Sequence, residues 1–434
     1  MQHDRQTDNT RVLRGIVSVG LFLFIGKIFG ALKEVAIAHR FGIGEVVDAY
    51  TISLSFATWI PAVWLVVLNA SYVPVWHTLE PSERKIFNQR LLALTLIFGV
   101  ATSAILAIVL PIILPRIFTE ISGSALLTLV RMTIGLAPVA ALSLVIAQLS
   151  AQLLAKEKHV NTLTDAIPAI TLVIALIFWP LSLTNESLFA FGISAGLFIQ
   201  LVCLMLICRR ADLGHIPSFN NSRNAWIVLR DAIGIMLVSQ TLASFIDPIG
   251  LYFASNLGDG YVSILGYASK VLALMLGLGA TAVGRSVLPV FSNSNQNWTE
   301  RKQFAISWFK KLFLAGITAT LFIVVTATPI VKLLFERGAF TSENTQLVAE
   351  AIKYGAIQFP FYFSSVVLAQ FFASCGRYTV LLKSSCVAVG SKIIFCSILV
   401  PKFGLNGLMI TTGIMFLCVN IYFYYEIQRN ATLD

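Results

Sequence analysis

Twelve stretches of this chain are predominantly apolar for about twenty residues or longer, the length a helix needs to cross the hydrocarbon core of a bilayer. They run over roughly 13–38, 46–76, 91–114, 125–154, 165–183, 188–208, 228–256, 260–291, 304–331, 343–375, 378–400 and 404–426. Between them lie only short polar links. Of the 434 residues 57% are hydrophobic and 12% charged, and the mean hydropathy is +0.82. A water-soluble chain of this length carries about a quarter charged residues. The pattern therefore predicts an all-α integral membrane protein. Several runs exceed a bare span and contain Pro or Gly, which predicts tilted or broken helices.

Charge in the links predicts orientation, because short cytoplasmic loops collect Lys and Arg. The N-terminal side holds Arg5, Arg11, Arg14, Arg84, Lys85, Arg90, Lys156, Lys158, Arg209, Arg210, Arg223, Arg230, Arg301, Lys302, Lys310, Lys311, Arg377, Lys383 and Arg429. The other side has Arg40, Arg116, Lys332, Arg337 and Lys402. Both termini are expected in the cytoplasm, as an even number of spans requires. The first ten residues are polar and lack the apolar core of a signal peptide. The net charge of +10 thus belongs to membrane topology, and no nucleic-acid partner is expected. Six cysteines form no CxxC pair, so neither a zinc site nor a disulfide framework is indicated.

The chain also repeats itself. IAHRFGIGEVVDAY from Ile37 aligns with FASNLGDGYVSILGY from Phe253, and YVPVW from Tyr72 with VLPVF from Val287. Pro138 precedes Gln148 by ten residues, as Pro360 precedes Gln370. Ordered matches at one offset predict two parallel six-helix repeats. The expected division is a cytoplasmic tail 1–12, an N-terminal lobe 13–210, a cytoplasmic linker 211–227, a C-terminal lobe 228–426 and a tail 427–434, with the two pseudo-symmetric lobes around a central cavity.

Lys27, Lys33, Arg131, Lys270, Arg285, Lys353 and Lys392 fall inside apolar runs. An ionisable group at such depth costs about 3 kcal/mol or more, so it faces protein or a water-filled cavity. Lys27 and Glu34 stand seven residues apart on one stripe of the first helix, with Gly30 between them, and Lys33 is turned away by about a third of a circle. Asp48 opens the second span. Asp247 precedes Pro248 in the seventh, and Lys270 lies in the eighth. Two readings follow. Lys27 with Glu34, and Asp247 with Lys270, are structural ion pairs, or the lysine excess forms a cationic cavity that receives an anion. The second is preferred, because buried ion pairs stabilise poorly compared with apolar packing. No HExxH, GxSxG or Walker motif occurs, so no enzyme chemistry and no cofactor are expected.

GKIFGALKEVAIAHRFGIGEVVDAY from Gly26, YFASNLGDGYVSILGYASKVLALMLGLGATAVGRSVLPVFS from Tyr252, LLFERGAFTSENT from Leu333 and GLNGLMITTGIMFLCVNIYFYYEIQR from Gly404 resemble the MurJ/MviN family of lipid II flippases. The resemblance spans nearly the whole chain. It implies two six-helix bundles around a V-shaped cavity, alternating access, and a lipid-linked saccharide whose diphosphate is held by basic residues while its polyprenyl tail stays among membrane lipids. By motif position Lys27, Lys33 and Lys270 match basic residues of the family, Glu34 its acidic neighbour and Asp48 its Asp-Ala-aromatic element. Together they form the expected substrate-binding set, with Asp247 and Arg285 as coupling or structural residues. The implied location is the bacterial cytoplasmic membrane, with polymerising enzymes of the cell wall or a surface polysaccharide as further partners. A sodium ion, a proton or the membrane potential would drive transport. The alternatives are a cation-coupled multidrug exporter on the same scaffold and a non-transporting membrane scaffold.

Overall fold

The computed structural model describes residues 25–429 except 122, 157–160, 179, 181–183, 212, 214–216, 219–233, 235–236 and 292–297. Among the described residues regular structure is entirely helical. In chain order the helices are α1 (25–41), α2 (Glu45–Thr78), α3 (Pro81–Ala104), α4 (Leu110–Ile117), α5 (Gly123–Ala155), α6 (Asn161–Thr164), α7 (Ile167–Phe178) and α8 (Asn185–Arg210). They continue as α9 (237–244), α10 (Ile246–Ser255), α11 (Tyr261–Phe291), α12 (Trp298–Phe335), α13 (Ser342–Gly355), α14 (Gln358–Ser374) and α15 (Tyr378–Arg429).

These helices follow the apolar runs, with breaks where the sequence carries breakers. A π-helical turn over Ile105–Val109 joins α3 to α4, so that one continuous span reaches from Glu83 to Ile117. α13 and α14 form one span bent by 45° at Ala356 and Ile357. A bend frees backbone carbonyls from the i to i−4 ladder. Here the Thr320 hydroxyl donates to the Ala356 carbonyl at 2.9 Å. The 52 residues of α15 are two spans end to end, because Gly404 has φ 56 and ψ −136, outside the helical region. Six described helices, α15 counted once, are long and apolar enough to cross a bilayer, the bent pair passes the same test together, and α7 and Tyr261–Gly277 are shorter apolar segments. The expected tail 1–12 and most of the linker 211–227 lie outside the described residues.

The chain divides into two compact units. The first contains residues 1–40, 56–114 and 127–233, and the second 41–55, 115–126 and 234–434. Residues 115–126 thus group with the second unit, and so does the start of α2. The reason is local. Gly42 takes φ 63, and a Cβ added there would lie 2.5 Å from the Ala339 carbonyl oxygen, so only glycine lets the chain pass so close.

In the first unit α3 and α5 run antiparallel in close contact. A Cβ on Gly99 would meet the Ala141 Cα at 3.0 Å, and the Ser103 hydroxyl donates to the Ala137 carbonyl at 2.7 Å. In the second unit α12 lies against α14 through Gly316, where a Cβ would stand 2.3 Å from the Pro360 Cα. Small residues at such crossings let backbones approach when no hydrophobic force separates lipid-facing from helix-facing leucines. The core of this unit gathers Val367, Phe371 and Phe372 of α14 with Met415, Val419 and Phe423 of α15.

Candidate functional site

The second unit encloses a cavity of about 440 Å³ lined by α2, α10, α11, α14 and both limbs of α15. Its ionisable lining residues among those described are Asp247, Lys270 and Lys392. The remainder is small or polar, including Thr51, Ser55, Ser269, Gln358 and Thr412. Two basic groups against one acid leave the wall cationic, which suits an anionic guest in a medium of low dielectric.

Each charge is held differently. Lys392 is 4% exposed, and its ammonium donates to the Thr412 hydroxyl at 2.8 Å and to the Leu408 carbonyl at 3.5 Å. Its charge interacts with that of Asp247, which is exposed on α10 one residue before Pro248. Asp247 and Lys270, the pair of the structural alternative, line this same cavity together with Lys392. Lys270 is half-buried, with its ammonium 5.8 Å from the centre of the Tyr267 ring. Tyr267 itself is 1% exposed and donates through its hydroxyl to the Gly42 carbonyl at 3.0 Å, so the platform beneath Lys270 is fixed.

Asp48 is buried rather than open to a ligand. Its Oδ2 accepts from the Gly260 N–H at 2.5 Å, and its Oδ1 accepts from the Ser263 N–H at 2.6 Å and from the Ser263 hydroxyl. These donors sit at the start of α11, where backbone N–H groups lack intrahelical partners and the helix dipole favours an anion. The two loops matched in the sequence repeat are thereby tied together, since Asp48 follows Gly42-Ile43-Gly44 and Gly260 closes Gly258-Asp259-Gly260.

In the first unit Lys33 and Glu34 form an ion pair at 2.9 Å. The sequence stripe paired Glu34 with Lys27 instead. Neighbouring helical residues point about 100° apart, but two long side chains can still converge. Lys27 is exposed two turns earlier. The side chain of Arg285 lies outside the described residues. In sequence Lys392 stands out only as a lysine at mid-span, with no partner at helical spacing. The hydroxyl that receives its proton, Thr412, lies on the following limb of α15 and could not be paired by spacing.

A family profile described as "Lipid II flippase MurJ" matches residues 37–434. A "Probable lipid II flippase MurJ" of Bdellovibrio bacteriovorus is 28% identical over 238 residues, covering 53% of this chain and 44% of that one. Another of Synechocystis sp. is 26% identical over 453 residues, covering 97% and 82%. Among solved structures, "Lipid II flippase MurJ, inward closed conformation" superposes with a TM-score of 0.82 at 19% identity, covering 95% of this chain and 87% of that one. An inward-facing multidrug resistance MATE transporter of the MOP superfamily reaches 0.74 at 12% identity, covering 94% and 95%. At these identities the structural likenesses establish a shared fold. The profile match extends over nearly the whole described chain, and on that basis the chain belongs to the lipid II flippase MurJ family.

Proposed function

We propose that the protein carries a polyprenyl-diphosphate-linked saccharide, lipid II or a related lipid-linked oligosaccharide, from the cytoplasmic to the outer leaflet of the bacterial cytoplasmic membrane by alternating access. Family membership supports the transport class, and relatives named as probable lipid II flippases support the substrate class. The observation that carries the reading is a cavity whose described lining includes Lys270 and Lys392 against a single acid, Asp247. A diphosphate brings negative charge to that wall and replaces the water that would otherwise solvate the ammonium groups. Lysine acts there as a point charge, without the two-pronged geometry of arginine.

Lys27 and Lys33 supply the corresponding basic groups of the first unit. Asp247, which interacts with Lys392, is the proposed coupling acid, and sodium ion, proton and membrane potential are separable by imposing each gradient alone on vesicles. Lys270→Gln and Lys27→Gln are expected to abolish rescue of a strain depleted of its lipid II flippase while membrane levels stay normal. Full rescue by both variants would remove the basic residues from the substrate path. Rescue only of a strain lacking an exopolysaccharide flippase, by the unmodified chain, would move the substrate from lipid II to another lipid-linked saccharide.

A further inference from the structure

The first unit has a cavity of its own, of about 450 Å³, between α2, α5, the start of α7 and α8. Its size falls within the range of small-molecule sites, about 300–1,000 Å³. Its character is opposite to that of the second unit. The walls are mostly apolar, with Pro61, Leu65, Ile146, Leu154, Pro168 and Leu197 among them, and the single ionisable lining residue among the described residues is an acid, Asp165.

Asp165 sits in the two-residue break between α6 and α7, where its side chain is exposed to the cavity it lines. Its Oδ1 accepts from the Gln200 side-chain amide at 2.9 Å. Gln200 is 3% exposed and rides on α8, which a glycine stripe presses against α7: a Cβ on Gly196 would lie 2.6 Å from the Pro168 Cα. The amide therefore holds the carboxylate in place from behind. Oδ2 accepts no hydrogen bond from a described residue, and no described Lys, Arg or His lies within ion-pair distance of the carboxylate. This carboxylate, with no counter-charge among the described residues and apolar side chains around it, favours a guest that brings a positive charge and apolar surface together.

We infer that this cavity is a binding site for a small lipophilic organic ammonium ion, with Asp165 as its counter-ion, Gln200 as the residue positioning that carboxylate, and the apolar walls receiving the hydrocarbon body. An alkali ion fits less well. It needs about six oxygen ligands close at hand, whereas this lining offers one carboxylate and scattered neutral groups, Thr58, Asn69, Ser143 and Ser150, around a volume far larger than one ion. The site is separate from the basic residues of the proposed flipping path.

The test compares two probes of nearly equal shape, 1-adamantylammonium and the uncharged 1-adamantanol, by equilibrium binding of radiolabelled ligand to the purified full chain. The ammonium is expected to bind at least about tenfold more tightly than the alcohol, the scale of one charge-assisted contact. Asp165→Asn should erase that difference and leave the alcohol unchanged, while Ala147→Phe, which fills the cavity from α5, should weaken both. Equal binding of the two probes by the unmodified chain would overturn the proposal. So would retention of the preference in Asp165→Asn, or displacement of the amine by sodium chloride but not by choline chloride, which would make the site one for an alkali ion.

Discussion

A carboxylate removed from water loses several kcal/mol of solvation unless hydrogen bonds replace it. Asp48, 7% exposed, recovers that loss from two backbone N–H groups and a hydroxyl at the head of α11. Replacing it by alanine leaves those donors unsatisfied, so Asp48→Ala is expected to lower stability by about 1–3 kcal/mol. The check is the thermal midpoint of the detergent-purified protein, and an unchanged midpoint would contradict the capping role. Lys392 calls for a paired measurement. Lys392→Met and Asp247→Asn should each lower the midpoint, and the double variant should fall by less than the sum, with a coupling of about 0.5–3 kcal/mol. Strict additivity would show that the two charges do not sense one another. Spacing in sequence located Asp48, Asp247 and Lys270 within spans because a charge in an apolar run stands out. It did not reveal that Asp48 caps a helix 212 residues further along, since that partnership depends on tertiary contact.

At the scale of elements, the described helices follow the apolar runs because hydrocarbon forces every backbone group to be satisfied within its own segment. The breaks were less legible. The 45° bend between α13 and α14 falls at Ala356 and Ile357, between Gly355 and Pro360, so breakers flank it without fixing its position or angle. The same proline explains why α12 carries Gly316, since the α14 backbone passes within van der Waals reach of any larger residue there. Gly316→Ala is expected to force the two helices apart and to cost about 1–3 kcal/mol as an overpacking change. Gly30→Ala in α1, with no atom within 4 Å of the added methyl, should be tolerated. Thermal midpoints of the two variants side by side make the comparison, and equal values would contradict the close approach. Gly404 is legible in sequence only as the first residue of the twelfth run, although its φ of 56 is what divides α15 into two spans.

For the whole molecule, the repeat announced two halves, and two units are present, but their membership is interleaved. The sequence could not show this, because self-similarity reports descent from a common unit and not which contacts each copy makes. Residues 41–55 belong by repeat to the first half and by packing to the second unit. The excess of Lys and Arg on one set of loops makes a further claim at this scale: reporter fusions at both termini should read as cytoplasmic, and an external reading at either would overturn the topology. The shared membership of α2 bears on how the chain is made. A ribosome delivers residues 41–55 to the membrane long before Gly260 and Ser263 exist, so the early hairpin must wait, with Asp48 uncapped, until the eighth apolar run has been inserted. The second unit is thus finished with a part manufactured first. Residues 228–434 synthesised alone should be degraded quickly, and co-synthesis of 1–227 should rescue them, whereas co-synthesis of 1–227 carrying Asp48→Ala should rescue them poorly.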